Sequence, residues 1–117
     1  QRAQHHGLPV FPGAVTPTEI MAALDLGLTT LKFFPAGVYG GVPALKALGA
    51  PFPQVRFIPT GGVSADNLGT YLALPNVAAV GGSWMVPAST VDAGDMDTIR
   101  RLCTEASAAV ASFGKAA

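Results

Sequence analysis

The stretch Thr29-Thr-Leu-Lys-Phe-Phe-Pro-Ala-Gly37 is apolar at its centre except for one lysine, set between Leu31 and Phe33. Its second half recurs along the chain. Val10-Phe11-Pro12-Gly13, Phe33-Phe34-Pro35-Ala36 and Phe57-Ile58-Pro59-Thr60 each place two large apolar residues before a proline and a small residue, with the prolines 23 and 24 positions apart. A fourth unit, Val77-Ala-Ala-Val-Gly-Gly82, ends in glycine, and Gly82 stands 23 residues after Pro59. Each run has strand-like composition. Proline closes it because a residue without an N–H cannot donate to a sheet ladder.

Between these runs the pattern turns helical. Thr16-Pro17-Thr18-Glu19 offers an N-cap, a first-turn proline and a glutamate three positions on, a capping box that predicts a helix closed by Gly27. Pro43 suits the first turn of a helix over Ala44-Leu45-Lys46-Ala47-Leu48, after a Gly40-Gly41 turn. Ser64 is expected to cap a helix from Ala65 to Leu74. A last helix runs from Asp95 or Met96 to Phe113, with Ile99, Leu102, Cys103, Ala106, Val110 and Phe113 as its apolar stripe. Cys103 is expected there as a buried small hydrophobe. Four strand–helix units with continuous hydrophobic strands predict an α/β fold with a parallel sheet covered by helices. A (β/α)8 barrel typically needs about 250 residues and eight such units, so the expected architecture is a half-barrel. Gln1 to Gly7 reads as the last turns of a helix closed by glycine. His5 and His6 are adjacent, point different ways and read as a solvated helix end; no metal site is expected.

Composition narrows the function classes. The 117 residues suit one domain, half of them are apolar and only 12% are charged. Seven basic residues balance seven acidic ones, which argues against a nucleic-acid or anionic-membrane partner. With a single cysteine, Cys103, and no apolar run of spanning length, the cytoplasm is the expected compartment.

In parallel α/β sheets the loops after the strand C-termini share one rim, where ligands bind. Two of these loops carry diglycines, Thr60-Gly61-Gly62-Val63-Ser64 and Gly81-Gly82-Ser83-Trp84, which suit the close approach of backbone N–H groups to a phosphate; tight turns are the plain alternative. Trp84 reads as packing across the barrel end. Lys32 shares a face with Thr30 and Phe34 by strand alternation. If that face points inward, desolvation favours the neutral amine that attacks carbonyls; if the side chain bends out, it is an ordinary strand-end charge. The residues alone leave both open. Lys46 and Lys115 read as solvated charges on helix faces.

The strings "LPVFPG", "LKFFPA", "PFPQVRFIPTGGVS" and "YLALPNVAAVGGSWMVP", with the acidic-led final helix, together resemble the C-terminal half of the 2-keto-3-deoxy-6-phosphogluconate (KDPG) and 4-hydroxy-2-oxoglutarate aldolases, over essentially residues 1–117. The resemblance implies half of a TIM barrel and a class I aldolase of the Entner–Doudoroff pathway. Lys32 would form the Schiff base, Phe34 and Pro35 would line the pocket and Thr60 would face the substrate. Gly61, Gly62, Gly82 and Ser83 would hold the phosphate of a keto-sugar acid, with no metal or organic cofactor and a homotrimer in intact members. It also implies a proton-shuttling glutamate, and an arginine and a threonine for the pyruvate carboxylate, in an N-terminal half that no residue here matches. Glu19 and Glu105 lie on helices and do not fill that role. The competing expectation is a non-catalytic half-barrel, pairing its open edges with another copy or with a missing N-terminal half.

Overall fold

The computed structural model describes residues 2–114. Its elements are α1 (Arg2–His5), α2 (Pro17–Asp25), β1 (Thr30–Phe33), α3 (Gly41–Gly49), β2 (Arg56–Pro59), α4 (Leu68–Leu72), α5 (Ala88–Asp92) and α6 (Met96–Ser112). β1 and β2 pair in parallel, Thr30 opposite Arg56 and Phe33 opposite Pro59. Two further segments join as single bridges, Gly13 to Lys32 on one side, Phe57 to Val77 and Thr60 to Gly81 on the other. The order is thus residues 12–14, β1, β2, residues 76–81, all parallel, as expected of half a (β/α)8 barrel.

The first and fourth runs were expected as strands; they are bridges only, and proline explains both. Lys32 N–H donates to Pro12 O and Ala14 N–H to Lys32 O; the next rung would need a donor from Pro12, which has none. On the other side Ala78 N–H reaches Phe57 O, but Pro59 has no N–H for the following rung, and Pro59 O is met by Gly81 N–H three residues on instead of two.

Alternation sorts the two faces. Leu31, Phe33, Phe57 and Pro59 are buried, while Thr30, Lys32, Ile58 and Thr60 on the opposite face are half-buried and Arg56 is exposed. The buried face meets Ile20 and Ala23 of α2, Leu45 of α3, and Leu68, Tyr71 and Leu72 of α4, with Val55 and Val77 between. At its centre Phe33 and Phe57 lie edge to face, centroids 6.0 Å apart at 78°. The helices therefore cover one side of the sheet.

Local signals carry different weight. The capping box forms in full: Thr16 Oγ1 accepts from Glu19 N–H at 3.3 Å, and Glu19 Oε2 accepts from the N–H groups of Val15 and Thr16 at 2.9 Å each. Asp95 caps α6 by accepting from Thr98 N–H at 3.0 Å. Pro43 falls at the third position of α3, whose N-cap is Gly40 at φ +94°. α4 is shorter than expected: Ser64 supplies a backbone acceptor to Leu68 N–H, not a side-chain cap, and residues 65–67 form turns. α5 carries no sequence signal that was singled out. α6 follows its expected span, but none of its residues is buried; Cys103 and Phe113 are exposed, and Thr98, Ile99, Leu102, Ala106, Ala109 and Val110 are half-buried. The helix meets α5 and α4, and Ala109 and Val110 pack against the core, while Cys103 stays exposed, contrary to the expected burial. α1 closes at Gly7, φ +66°, with the His5 and His6 rings edge-on and exposed. Lys46 is exposed, Gln1 and Lys115 lie outside the described residues, and no described helix is long and apolar enough to cross a membrane.

Truncating either central aromatic, Phe33→Ala or Phe57→Ala, is expected to cost about 3–5 kcal/mol in urea unfolding, because both are fully buried. Hydrogen bonds from the N–H of Val15, the hydroxyl of Thr16 and the N–H of Thr16 hold the Glu19 carboxyl below its ordinary value of 4.5. The stability contributed by the box is therefore full above that value and is lost as pH falls through the lower native one. In unfolding series stepped down through the carboxylate range, Glu19→Gln is expected to remove that part of the acid loss, and Thr16→Ala to lower stability by ~1 kcal/mol at neutral pH.

Candidate active site

The site is built where β1 and β2 end. Lys32 is the third residue of β1, on the face away from the helices, and Phe34 follows one residue beyond the strand. The Lys32 Nζ stands 4.8 Å from the centroid of the Phe34 ring. Lys32 is half-buried and Phe34 52% exposed. Lys32 is thus not sealed beneath a rim. The Phe34–Pro35 peptide is cis.

Phe34 reaches the first diglycine loop. A Cβ at Gly61 would lie 3.1 Å from Cδ2 and Cε2 of the Phe34 ring and from Cα of Pro35, and Gly61 adopts φ +87°. Both facts require glycine there. Gly62, at φ +79°, packs against Gly37. Hydrogen bonds stitch this loop to the one after β1: Ala36 N–H to Thr60 O at 2.8 Å and Gly37 N–H to Gly61 O at 3.1 Å. Asn67 fastens its far side, donating through Nδ2 to Gly62 O at 2.8 Å and accepting at Oδ1 from Ser64 N–H at 2.9 Å. Sequence reading passed over Asn67. An asparagine three residues after a serine in a diglycine loop is the signal that could have found it.

The second diglycine loop closes the site. Gly81 N–H donates to Pro59 O at 2.9 Å, and a Cβ on Gly81 would come 2.6 Å from Thr60 Oγ1. Phe34, Thr60, Gly61, Gly62, Val63, Gly82 and Ser83 line one cleft of about 290 Å³. All the predicted site residues except Lys32 and Pro35 are brought together there, and those two adjoin it through Phe34. Among the described residues, the N–H groups of Gly61, Gly62, Val63, Gly82 and Ser83 have no acceptor. Clustered free backbone donors around a small cleft suit an oxyanion. No carboxylate or histidine lines it: Glu19 is engaged in its cap, and Glu105 pairs with Arg101 at 2.8 Å. No metal-binding cluster occurs among the described residues. A larger cleft, about 440 Å³, opens at the opposite strand ends between Lys46, Gly49, Arg56 and Asn76 and holds none of these residues.

The family model of the KDPG and KHG aldolases matches residues 1–102. The chain belongs to this family. It is 52% identical over 99 residues to the KHG/KDPG aldolase of Escherichia coli strain K12, covering 85% of this chain and 46% of that protein. A KDPG aldolase from Legionella pneumophila, solved with pyruvate captured as a covalent carbinolamine, superposes with a TM-score of 0.80 at 47% identity, covering 82% of this chain and 47% of that one. The KDPG aldolase of Zymomonas mobilis, solved with 3-phosphoglycerate, gives 0.83 at 44% identity over 91% and 49%. The chain spans about half the length of the aldolases it matches. The family fold is the TIM barrel, and the four parallel units described above are half of one.

Gly61→Ala forces a side chain into the left-handed region and against Phe34. It is expected to lower the unfolding free energy by about 1–2 kcal/mol, read by thermal or urea unfolding, with Gly13→Ala, outside the left-handed region and with its nearest neighbour at 4.0 Å, as the comparison.

Proposed function

We propose that the chain carries the imine-forming half of a class I aldolase that cleaves 2-keto-3-deoxy-6-phosphogluconate to pyruvate and glyceraldehyde 3-phosphate, and acts also on 4-hydroxy-2-oxoglutarate. It corresponds in this reading to the C-terminal half of such an enzyme. The observation that carries it is the juxtaposition of Lys32, over the Phe34 ring, with a cleft ringed by unbonded backbone N–H groups. The Lys32 amine attacks the C2 carbonyl and water leaves as the imine forms. The iminium then accepts the electron pair of the breaking C3–C4 bond while the C4 hydroxyl gives up its proton, and the aldehyde departs. Protonation of the enamine at C3 and hydrolysis release pyruvate and restore the lysine. Thr60, Phe34 and Pro35 face the keto acid, and Gly61, Gly62, Gly82 and Ser83 take its phosphate through backbone donors. No step calls for a metal or organic cofactor.

The proton from C4 needs an acceptor, and the cleft holds no carboxylate. That favours a second reading for the chain by itself: imine formation and phosphate binding without turnover. The open sheet edges would then be covered by an N-terminal half or by further copies, a trimer in the family pattern.

Borohydride reduction in the presence of pyruvate is expected to add the mass of the reduced adduct at Lys32, and Lys32→Arg to abolish it. An unmodified Lys32 beside a labelled control aldolase would sink the proposal. Steady-state cleavage assays on the same sample separate the two readings, because the second predicts trapping with no aldehyde released.

A further inference from the structure

The two diglycine loops are held in place by different forces. The Gly61–Gly62 loop is fastened by hydrogen bonds from Gly37 and Asn67. Between Gly81 and Val86 the second loop is tied more weakly: Gly81 N–H and Val86 N–H bond at its two ends and the Cys103 thiol donates to Met85 O at a long 4.0 Å, while the N–H groups of Gly82, Ser83, Trp84 and Met85 find no acceptor among the described residues. What fixes this loop is packing. The Trp84 ring lies directly on Gly82, where any Cβ would overlap ring atoms Cζ3 and Cε3. The ring is half-buried and packs against the core. Its outer side borders two clefts against α6, one of about 100 Å³ with Leu102 and Ala106 and one of about 330 Å³ with Val80 and Val110. The indole is thus a wedge set on the Gly82 backbone, facing α6 across these clefts.

We propose that Trp84 is a positioning residue: acting through Gly82, it keeps the Gly82 and Ser83 N–H groups aimed into the cleft and so sets the preference for phosphorylated over unphosphorylated keto acids. This rests on the cleft being the phosphate half of the site. A ligand without a phosphate makes no use of the loop, so loss of the wedge weakens anion binding and leaves imine formation at Lys32 untouched. A purely structural tryptophan would affect both together.

The test uses the full chain with inorganic phosphate as the probe. Trp84 is the chain's one tryptophan, so its emission is expected to change saturably with phosphate and not with pyruvate. In calorimetric titration, Trp84→Leu is expected to bind phosphate roughly tenfold more weakly, about the loss of one charge-assisted hydrogen bond. Trp84→Phe, which keeps a planar wedge, stays within a few-fold of the parent, and both variants trap pyruvate at Lys32 at the parent rate. A folded Trp84→Leu chain with parent phosphate affinity, or one whose trapping falls in step with phosphate binding, overturns the role of Trp84. A parent chain that traps pyruvate but binds no phosphate overturns the cradle and this inference with it. Trp84-dependent phosphate binding without any trapping leaves the inference standing and removes the aldolase reading.

Discussion

Everything in the site depends on which face of two four-residue strands is dry. Leu31, Phe33 and Phe57 are fully buried against α2, α3 and α4, and burial of side chains of this size is the largest favourable contribution available to a small domain. Because successive strand residues point to opposite faces, burying them commits Thr30, Lys32, Ile58 and Thr60 to the other side. Lys32 reaches the ligand face as a consequence of its neighbours' hydrophobicity. A one-residue slip in register would put the amine among the helices, where an unpaired charge is prohibitively costly.

The rim is governed by backbone sterics. Gly61 stands where a Cβ would strike Phe34 and Pro35, Gly81 where it would strike Thr60, and Gly82 where it would strike Trp84. These contacts bring three chain segments close enough to line one cleft of about 290 Å³. The glycines thus permit approach, and two different devices then hold it: a hydrogen-bonded asparagine clasp on one loop, an aromatic wedge on the other. Proline acts in the opposite sense. By withholding donors at positions 12 and 59 it reduces the outer pairings to single bridges, so the sheet weakens outward from β1 and β2.

Much of this was legible in the chain. The spacing of Pro12, Pro35, Pro59 and Gly82 marked four matched strand ends, and Thr16 with Glu19 marked the start of α2 to the residue. The runs at residues 10–13 and 77–82 were overread as strands because apolar composition says nothing about which N–H groups a neighbour needs. Ser64 was overread as a side-chain cap because Asn67 competes for the same turn. Cys103 was placed in a core that α6 touches only through Ala109 and Val110, since a periodic stripe shows that a helix has an apolar face and not how much of it is covered.

Local chemistry by itself determined the class of fold, the order of its units, the rim on which the loops gather and the lysine and glycines worth watching, because propensity, capping and missing donors act over a few residues. Only the tertiary structure decided that Phe34 joins Lys32 to Gly61, that Asn67 and Trp84 hold the two loops, and that the amine stands half-open to solvent. Those outcomes depend on contacts between residues far apart in the chain, and such contacts exist only once the outer face of the sheet has been buried.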